Sequence, residues 1–358
     1  MINVTKTFLP PFEEYAAILK RAWDKAWITN NGELVQELES MLKEYLAVDQ
    51  LLYTSNGTVV LQIALKALNI TKEVITTPFS YVATTNALLW EKCSPVFVDI
   101  DPGNFCIDAD KIEAAITENT QAILATHVYG LPCNVEKIGE ISLKHNLKVI
   151  YDGAHAFGCI YKGKSLLSYG DISTCSFHAT KLFHTVEGGC LISHYKEMND
   201  QLFLYRSFGH LVDDYYCVGI NAKNSEFHAA MGLALLPYIN SIIEERKELV
   251  SVYDSYLSGH VQLPVRTIKD FTYNHSYYPI VVQSEDVLLK LKISLEAKGV
   301  NVRRYFYPSL NTLPFLPAGS NSCPISEDIS KRVLCLPLYP SLKTSEVKMI
   351  AEHILSLI

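Results

Sequence analysis

The stretch Ser173-Thr-Cys-Ser-Phe-His-Ala-Thr-Lys181-Leu-Phe-His-Thr-Val-Glu-Gly-Gly189 sets one lysine in a polar turn between two apolar, strand-like runs. A primary amine on a flexible stem becomes a covalent catalyst when its surroundings lower its pKa, and its characteristic work is Schiff-base formation with a carbonyl carbon. Taken alone, a loop lysine is far more often a solvated surface charge. Two constellations upstream change that balance. Ser55-Asn-Gly-Thr58 follows the apolar run Leu51-Leu-Tyr-Thr54 and precedes a helix-like run from Val59 to Leu68. Strand, glycine turn and helix, with Thr58 at the helix start, aim free N–H groups and a positive dipole end at an anion such as a phosphate. Asn-Gly is also the commonest hairpin turn, which is the competing reading. Asp152-Gly-Ala-His155 closes the apolar run from Leu147 to Tyr151. Ligands bind at the carboxyl ends of parallel strands. An aspartate there is either a helix cap or the charge partner of a protonated ring nitrogen, which makes that ring a better electron sink.

The elements that must position these groups alternate. Strand-like runs at 51–54, 74–77, 95–99, 121–127, 147–152, 172–177 and 190–193 are separated by helical patterns after the first four. Nearly continuous apolar strands in alternation with helices predict an α/β fold, a mostly parallel seven-stranded sheet covered on both faces. Two helices precede it, over 13–24 and 34–46, joined by the turn Trp27-Ile-Thr-Asn-Asn-Gly32. A helix from Ser225 ends at Pro237, another runs from Ile239 to Leu257, and a smaller α+β domain follows. In it, Tyr277–Val282 and Val300–Arg304 read as strands, Val287–Lys298 as a helix, and a closing helix starts at Thr344. The boundary falls near 238–245, dividing the chain into residues 1–240 and 241–358.

Two apparent motifs do not survive their context. Gly158-Cys-Ile-Tyr-Lys-Gly163-Lys164-Ser165 matches a phosphate-loop pattern, but Cys159–Tyr161 is strand-like and Lys162-Gly163-Lys164 reads as the tight turn of a hairpin. Cys175, His178, His184 and Cys190 lack compact zinc spacing and would compete with Lys181 for space, so no metal is expected. With 49% hydrophobic and 19% charged residues the composition is that of a soluble globular protein. A net charge of −7 without basic runs argues against nucleic acid as a partner. The N-terminus lacks a secretion signal, and no apolar run approaches the roughly 20 residues a membrane span needs. Nine scattered cysteines without a C-x-x-C pair fit reduced thiols in the cytoplasm.

Asn56-Gly-Thr58, Thr77-Pro-Phe-Ser-Tyr81, Asp152-Gly-Ala-His155, Ser176-Phe-His-Ala-Thr-Lys181 and Glu187-Gly-Gly189 occur in that order. Together they resemble the DegT-type, pyridoxal-phosphate-dependent sugar-nucleotide aminotransferases of the aspartate aminotransferase fold, PLP fold type I. The resemblance covers almost the whole chain. It implies that Lys181 carries pyridoxal 5'-phosphate covalently and shuttles protons, and that Asp152 pairs with the cofactor's ring nitrogen. It further implies that Gly57, Thr58 and Ser176 cradle the phosphate, that Tyr81 stacks on the ring, and that His155 lies beside the ring oxygen. Asn221 falls where the family reaches the phosphate from a second subunit, implying a homodimer with shared sites. The family usually continues Tyr-Arg-Met-Ser-Glu there, whereas this chain has Ala222-Lys-Asn-Ser-Glu226, so Lys223 carries no assigned role. Arg303 and Tyr305, in Arg303-Arg-Tyr-Phe-Tyr-Pro308, resemble the segment that holds the sugar nucleotide.

The implied reaction moves an amino group from L-glutamate to a nucleotide-linked 4-keto-6-deoxy sugar, most like dTDP-4-oxo-6-deoxyglucose, in cytoplasmic deoxyamino-sugar synthesis for O-antigen and lipopolysaccharide. Amination at C3, a sugar-nucleotide dehydratase and a cofactor-binding regulator are the alternatives. The dehydratase branch replaces the lysine by histidine, and the regulator would lose Lys181 or Asp152. A cysteine desulfurase would share the fold and need a reactive Cys323.

Overall fold

A computed structural model of the chain describes residues 1–316 and 321–358; Gly319 and Ser320, just upstream of Cys323, lie outside the described residues. Seven strands form one sheet: β1 (Gln50–Thr54), β2 (Glu73–Thr76), β3 (Ser94–Phe97), β4 (Thr120–Thr126), β5 (Lys148–Asp152), β6 (Ile172–Ser176) and β7 (Gly189–Ser193). Their order is β1-β7-β6-β5-β4-β2-β3. All neighbours are parallel except around β7, which runs antiparallel to β1 and β6.

The strands are apolar almost throughout because successive side chains feed two separate cores. Tyr53, Ile75, Ile123, Tyr151, Cys175 and Ile192 point to one face. Their neighbours Leu52, Val74, Leu124, Ile150 and Leu191 point to the other. On the first face lie α2 (Glu33–Leu46), through Leu34, Leu38 and Leu42, and α5 (Val135–His145), through Ile138 and Ile141. On the second lie α3 (Val59–Ala67), α4 (Val82–Trp90) and Leu202 of α6 (Lys196–Arg206). At about 1.5–3 kcal/mol for each fully buried large aliphatic side chain, either face alone contributes enough to fix the register of the strands. The helix α1 (Phe12–Asp24) precedes this layer, and α7 (Glu226–Leu235) packs on α1 and α2.

The chain passes from α7 through a single 3₁₀ turn containing Pro237 into α8 (Ile239–Leu257). This helix starts against the first core at Ile239 and Ile242 and ends in a third at Leu249, Tyr253 and Leu257. That third core holds β8 (Tyr278–Val281), antiparallel to β9 (Val333–Leu336), with α9 (Glu285–Ala297) and α11 (Thr344–Leu355) packed around it. The strand expected over Val300–Arg304 does not form. Ile2 brackets Val300, its N–H donating to Gly299 O and its carbonyl accepting the Asn301 N–H, while Arg303 bridges Cys335. Two different partners take one residue each, so no ladder can grow. Sequence reading also gave no element to α6, to α10 (Pro324–Arg332) or to β9. The hairpin expected at Lys162-Gly163 is present, with strands Ile160–Tyr161 and Lys164–Ser165 and both turn residues at positive φ. Among the described residues no helix is long and apolar enough to cross a membrane.

His127, just past β4, is buried with its ring stacked on Tyr151 at 4.6 Å, and its Nδ1 accepts the Cys133 N–H at 3.2 Å. Burial without a charge partner pushes its pKa down to about 3 from an ordinary 6.5. The folded chain therefore binds no proton there while the unfolded chain does below about 6.5, so the stability tied to this ring is complete above that value and drains as pH falls toward 3. Urea unfolding at about pH 8 and about pH 5 is expected to differ by about 2 kcal/mol less in His127→Phe than in the parent chain. An unchanged difference would mean the ring titrates freely in the folded state.

Candidate active site

β1, β2, β5 and β6 all end at one edge of the sheet, and the segments leaving them surround a cavity of about 300 Å³. Eight of the expected site residues line it: Gly57, Thr58, Tyr81, Asp152, His155, Ser176, Lys181 and Tyr305. Arg303 instead lines a cleft of about 960 Å³, which shares Ser80, Tyr81, Thr180, Tyr305 and Phe306 with the cavity. Asn221 lines neither; it is exposed, between α6 and α7, in an isolated bridge with Ser207.

Asp152 ends β5 and is buried. Its Oδ2 accepts Thr84 Oγ1 at 2.8 Å and its Oδ1 accepts the Ala154 N–H at 3.1 Å. Burial pushes its carboxyl pKa up, against the pull of these two bonds and of Lys181. His155, three residues on, is buried and held neutral, well below its ordinary pKa, by burial and by the Lys181 charge. Its Nδ1 accepts the Tyr129 N–H at 3.2 Å, which leaves the ring hydrogen on Nε2, and its face stacks on Phe306 at 5.6 Å. Gly57 sits against Ser176: a Cβ added to it would lie 2.6 Å from both Cβ and Oγ of that serine. Only a glycine lets the backbone come this close to the hydroxyl.

The turn after β6 brings Lys181 Nζ to 3.3 Å from Tyr277 Oη. Burial pulls the amine's pKa down, but Tyr277 and Asp152 together outweigh it and the net direction is upward. The expectation of a lowered pKa is therefore corrected: with nothing bound, the neighbours of this lysine favour its charged form. The anion cradle is corrected in part. Asn56 Oδ1 accepts the N–H groups of Thr58 and Val59 at 3.0 and 2.9 Å, so Asn56 rather than Thr58 caps α3. The Gly57 N–H and the hydroxyls of Thr58 and Ser176 remain as donors on that side. The chain enters α3 directly, which removes the hairpin alternative at Asn56-Gly57.

Cys323 is fully buried beside Phe97 and Leu310, its thiol pushed up to about 12, and it does not line the Lys181 cavity. Lys223 lies over the Phe208 ring at 4.5 Å, and the Glu226 carboxylate accepts the Leu34 and Val35 N–H groups at the start of α2. Cys175 and Cys190 pair across β6 and β7, and His184 Nε2 lies 2.8 Å from Phe8 O. Sequence reading missed Tyr277 and Thr84. Tyr277 was placed inside a strand that in fact starts at Tyr278, 96 residues from its lysine partner. Thr84 left one faint signal, a hydroxyl four residues after Ser80 in the first turn of α4.

The model of the DegT/DnrJ/EryC1/StrS aminotransferase family matches residues 12–355. The chain is 39% identical to a dTDP-4-amino-4,6-dideoxy-D-glucose transaminase of Shigella dysenteriae, over 100% of this chain and 98% of that one. It is 34% identical to a GDP-perosamine synthase of Escherichia coli O157:H7, over 92% of each. Among solved structures it is similar to DesI in the presence of its TDP-sugar product, with a TM-score of 0.94 and 29% identity over 99% of this chain and 92% of that one. It is also similar to Helicobacter pylori PseC, an aminotransferase involved in the biosynthesis of pseudoaminic acid, with a TM-score of 0.92 and 26% identity over 99% and 98%. Aminotransferases of this family depend on pyridoxal phosphate. With the fold, the lysine and the match in agreement over nearly the full length, the chain belongs to the DegT/DnrJ/EryC1/StrS aminotransferase family and is an aminotransferase.

Proposed function

We propose that this aminotransferase takes the amino group of L-glutamate and delivers it to C4 of dTDP-4-oxo-6-deoxyglucose, giving dTDP-4-amino-4,6-dideoxyglucose. The observation that carries this reading is the convergence of one lysine, one buried carboxylate and one glycine-floored cradle on a single cavity of about 300 Å³. Identity of 39% over the full length to a transaminase named for that product supports the choice of sugar and nucleotide.

The residues fit pyridoxal phosphate. Gly57 and Ser176, whose contact a Cβ would block, suit the phosphate with Thr58 beside them. Asp152 suits the ring nitrogen, Tyr81 and His155 the ring, and Lys181 the aldehyde. Bound there, the cofactor supplies an electron sink for the charge left when a proton leaves the carbon bearing the amine. Lys181 Nζ is the base and acid, taking that proton from the donor's Cα and returning it on the other side of the transferred nitrogen. Tyr277 Oη holds Nζ in place at 3.3 Å. Phe306 and Tyr305 close the cavity toward the cleft, where Arg303 and Tyr305 receive the sugar nucleotide. The enzyme works in the cytoplasm, in the making of O-antigen and lipopolysaccharide sugars, and its two domains divide near residue 240.

It acts as a homodimer in which Asn221 of each subunit completes the other's phosphate site. Support for this comes from the segment leading to Asn221. There Val212 (87% exposed), Tyr215 (78%) and Val218 (84%) leave an apolar protrusion that none of the described residues covers.

Glutamate with a panel of dTDP-, UDP- and GDP-linked keto sugars is expected to yield an amine at C4 of the dTDP sugar, read by NMR of the product; an amine at C3 would overturn the assignment. Lys181→Ala is expected to retain the cofactor without a covalent link and to lose roughly 10⁴-fold in turnover. Because the ligand-free amine is held protonated, cofactor attachment to the apoprotein should speed up as pH rises. Tyr277→Phe removes the largest cause that keeps the proton on, so its pH profile of attachment, followed by absorbance, should move to lower pH.

A further inference from the structure

Asp152 stands at the end of a chain of buried hydroxyls. Thr84 Oγ1 donates to Asp152 Oδ2 at 2.8 Å, Ser80 Oγ lies 2.8 Å from Thr84 Oγ1, and Thr126 Oγ1 donates to Ser80 Oγ at 3.1 Å. None of the three is more than 2% exposed. Adjacent strands assemble them. Thr126 on β4 is the register partner of Asp152 on β5, while Ser80 and Thr84 sit one helical turn apart where β2 hands over to α4.

The carboxylate dictates the direction of every link. An ionised carboxylate only accepts, so the Thr84 proton is committed to Asp152, Ser80 must donate to Thr84, and Thr126 to Ser80. Each bond polarises the next, and the whole row presents positive ends toward the charge. The opposite order exists only when Asp152 itself carries a proton. Burial works toward that protonated form and the Thr84 bond works against it.

We propose that Thr84, Ser80 and Thr126 are positioning residues that keep Asp152 ionised and aimed at the cofactor's ring nitrogen. The proposal rests on the reading of Asp152 as the partner of that nitrogen.

The test compares variants by two readouts, the dissociation constant of pyridoxal phosphate from the apoprotein and the rate of the half-reaction with glutamate at saturation. Thr84→Val is expected to cost about 10-fold or more in each, the size of losing one hydrogen bond to a charged group, with KM for glutamate unchanged and Thr84→Ser restoring both. Ser80→Ala and Thr126→Val should cost progressively less. Thr85→Val is the control: Thr85 is equally buried one residue along, and its hydroxyl has no partner among the described residues, so neither readout should move. In an Asp152→Asn background, Thr84→Val should change either readout by less than about twofold.

If Asp152→Asn reacts at the parent rate, the reading of the site fails and the proposal with it. If Asp152→Asn is slow while Thr84→Val behaves as the parent, or costs as much in the Asp152→Asn background as alone, only the hydroxyl chain is refuted. Thr84→Ser and Ser80→Ala carry the comparison should Thr84→Val not fold.

Discussion

A carboxylate taken out of water must have both its oxygens satisfied, and the cavity edge of the sheet is arranged around that need at Asp152. One oxygen is met by the backbone of the turn it opens, through Ala154, and the other by a side chain from a different element, Thr84. The first partner is nearly automatic for an aspartate that ends a strand and starts a turn. The second requires α4 to be docked on the sheet at a fixed depth, which the burial of Ala87 and Leu88 in the second core secures. Packing remote from any ligand thus sets the electrostatics of the cavity.

The same logic extends to the neighbouring groups. His155 and Asp152 lie on one turn, yet burial holds the histidine neutral, and only the aspartate has donors arranged to support a charge. A neutral ring and a carboxylate met by two donors thus stand three residues apart in the lining of one cavity. Lys181 is the only described lysine lining the cavity, and its amine lies between the Tyr277 hydroxyl and the field of Asp152.

Much of this was legible in the sequence, for physical reasons that also mark where legibility stops. The sheet was readable because strands buried on both faces are apolar at every position, and each observed strand falls within two residues of its expected span. The turns after β1, β5 and β6 were readable because close approach demands glycine and because charge at a strand end has few structural uses. Partners contributed from far along the chain were not. Tyr277, Thr84 and the Asn56 cap are ordinary residues brought to the cavity by three-dimensional neighbours, and local pattern holds little trace of those. The failed strand at 300–304 belongs to the same class, since its residues have strand-forming character and lose the ladder only because Ile2 and Cys335 compete for them. The direction of the Lys181 pKa was misjudged likewise, because a phenol 96 residues away decides it.

The segment Asn274–Tyr277 ties the C-terminal part of the chain to the turn at His155. Asn274 Nδ2 donates to the carbonyls of His155 and Phe157, Ser276 Oγ to that of His155, and Arg246 holds the Ser276 carbonyl from α8. The three bonds to His155 and Phe157 each span more than a hundred residues of sequence, so they close a long loop. A polypeptide whose sheet has formed but whose C-terminal part is still undocked carries Lys181 without its phenol and leaves the back of the histidine open to solvent. The surroundings of the Lys181 amine are in this way completed only by the last-made third of the protein.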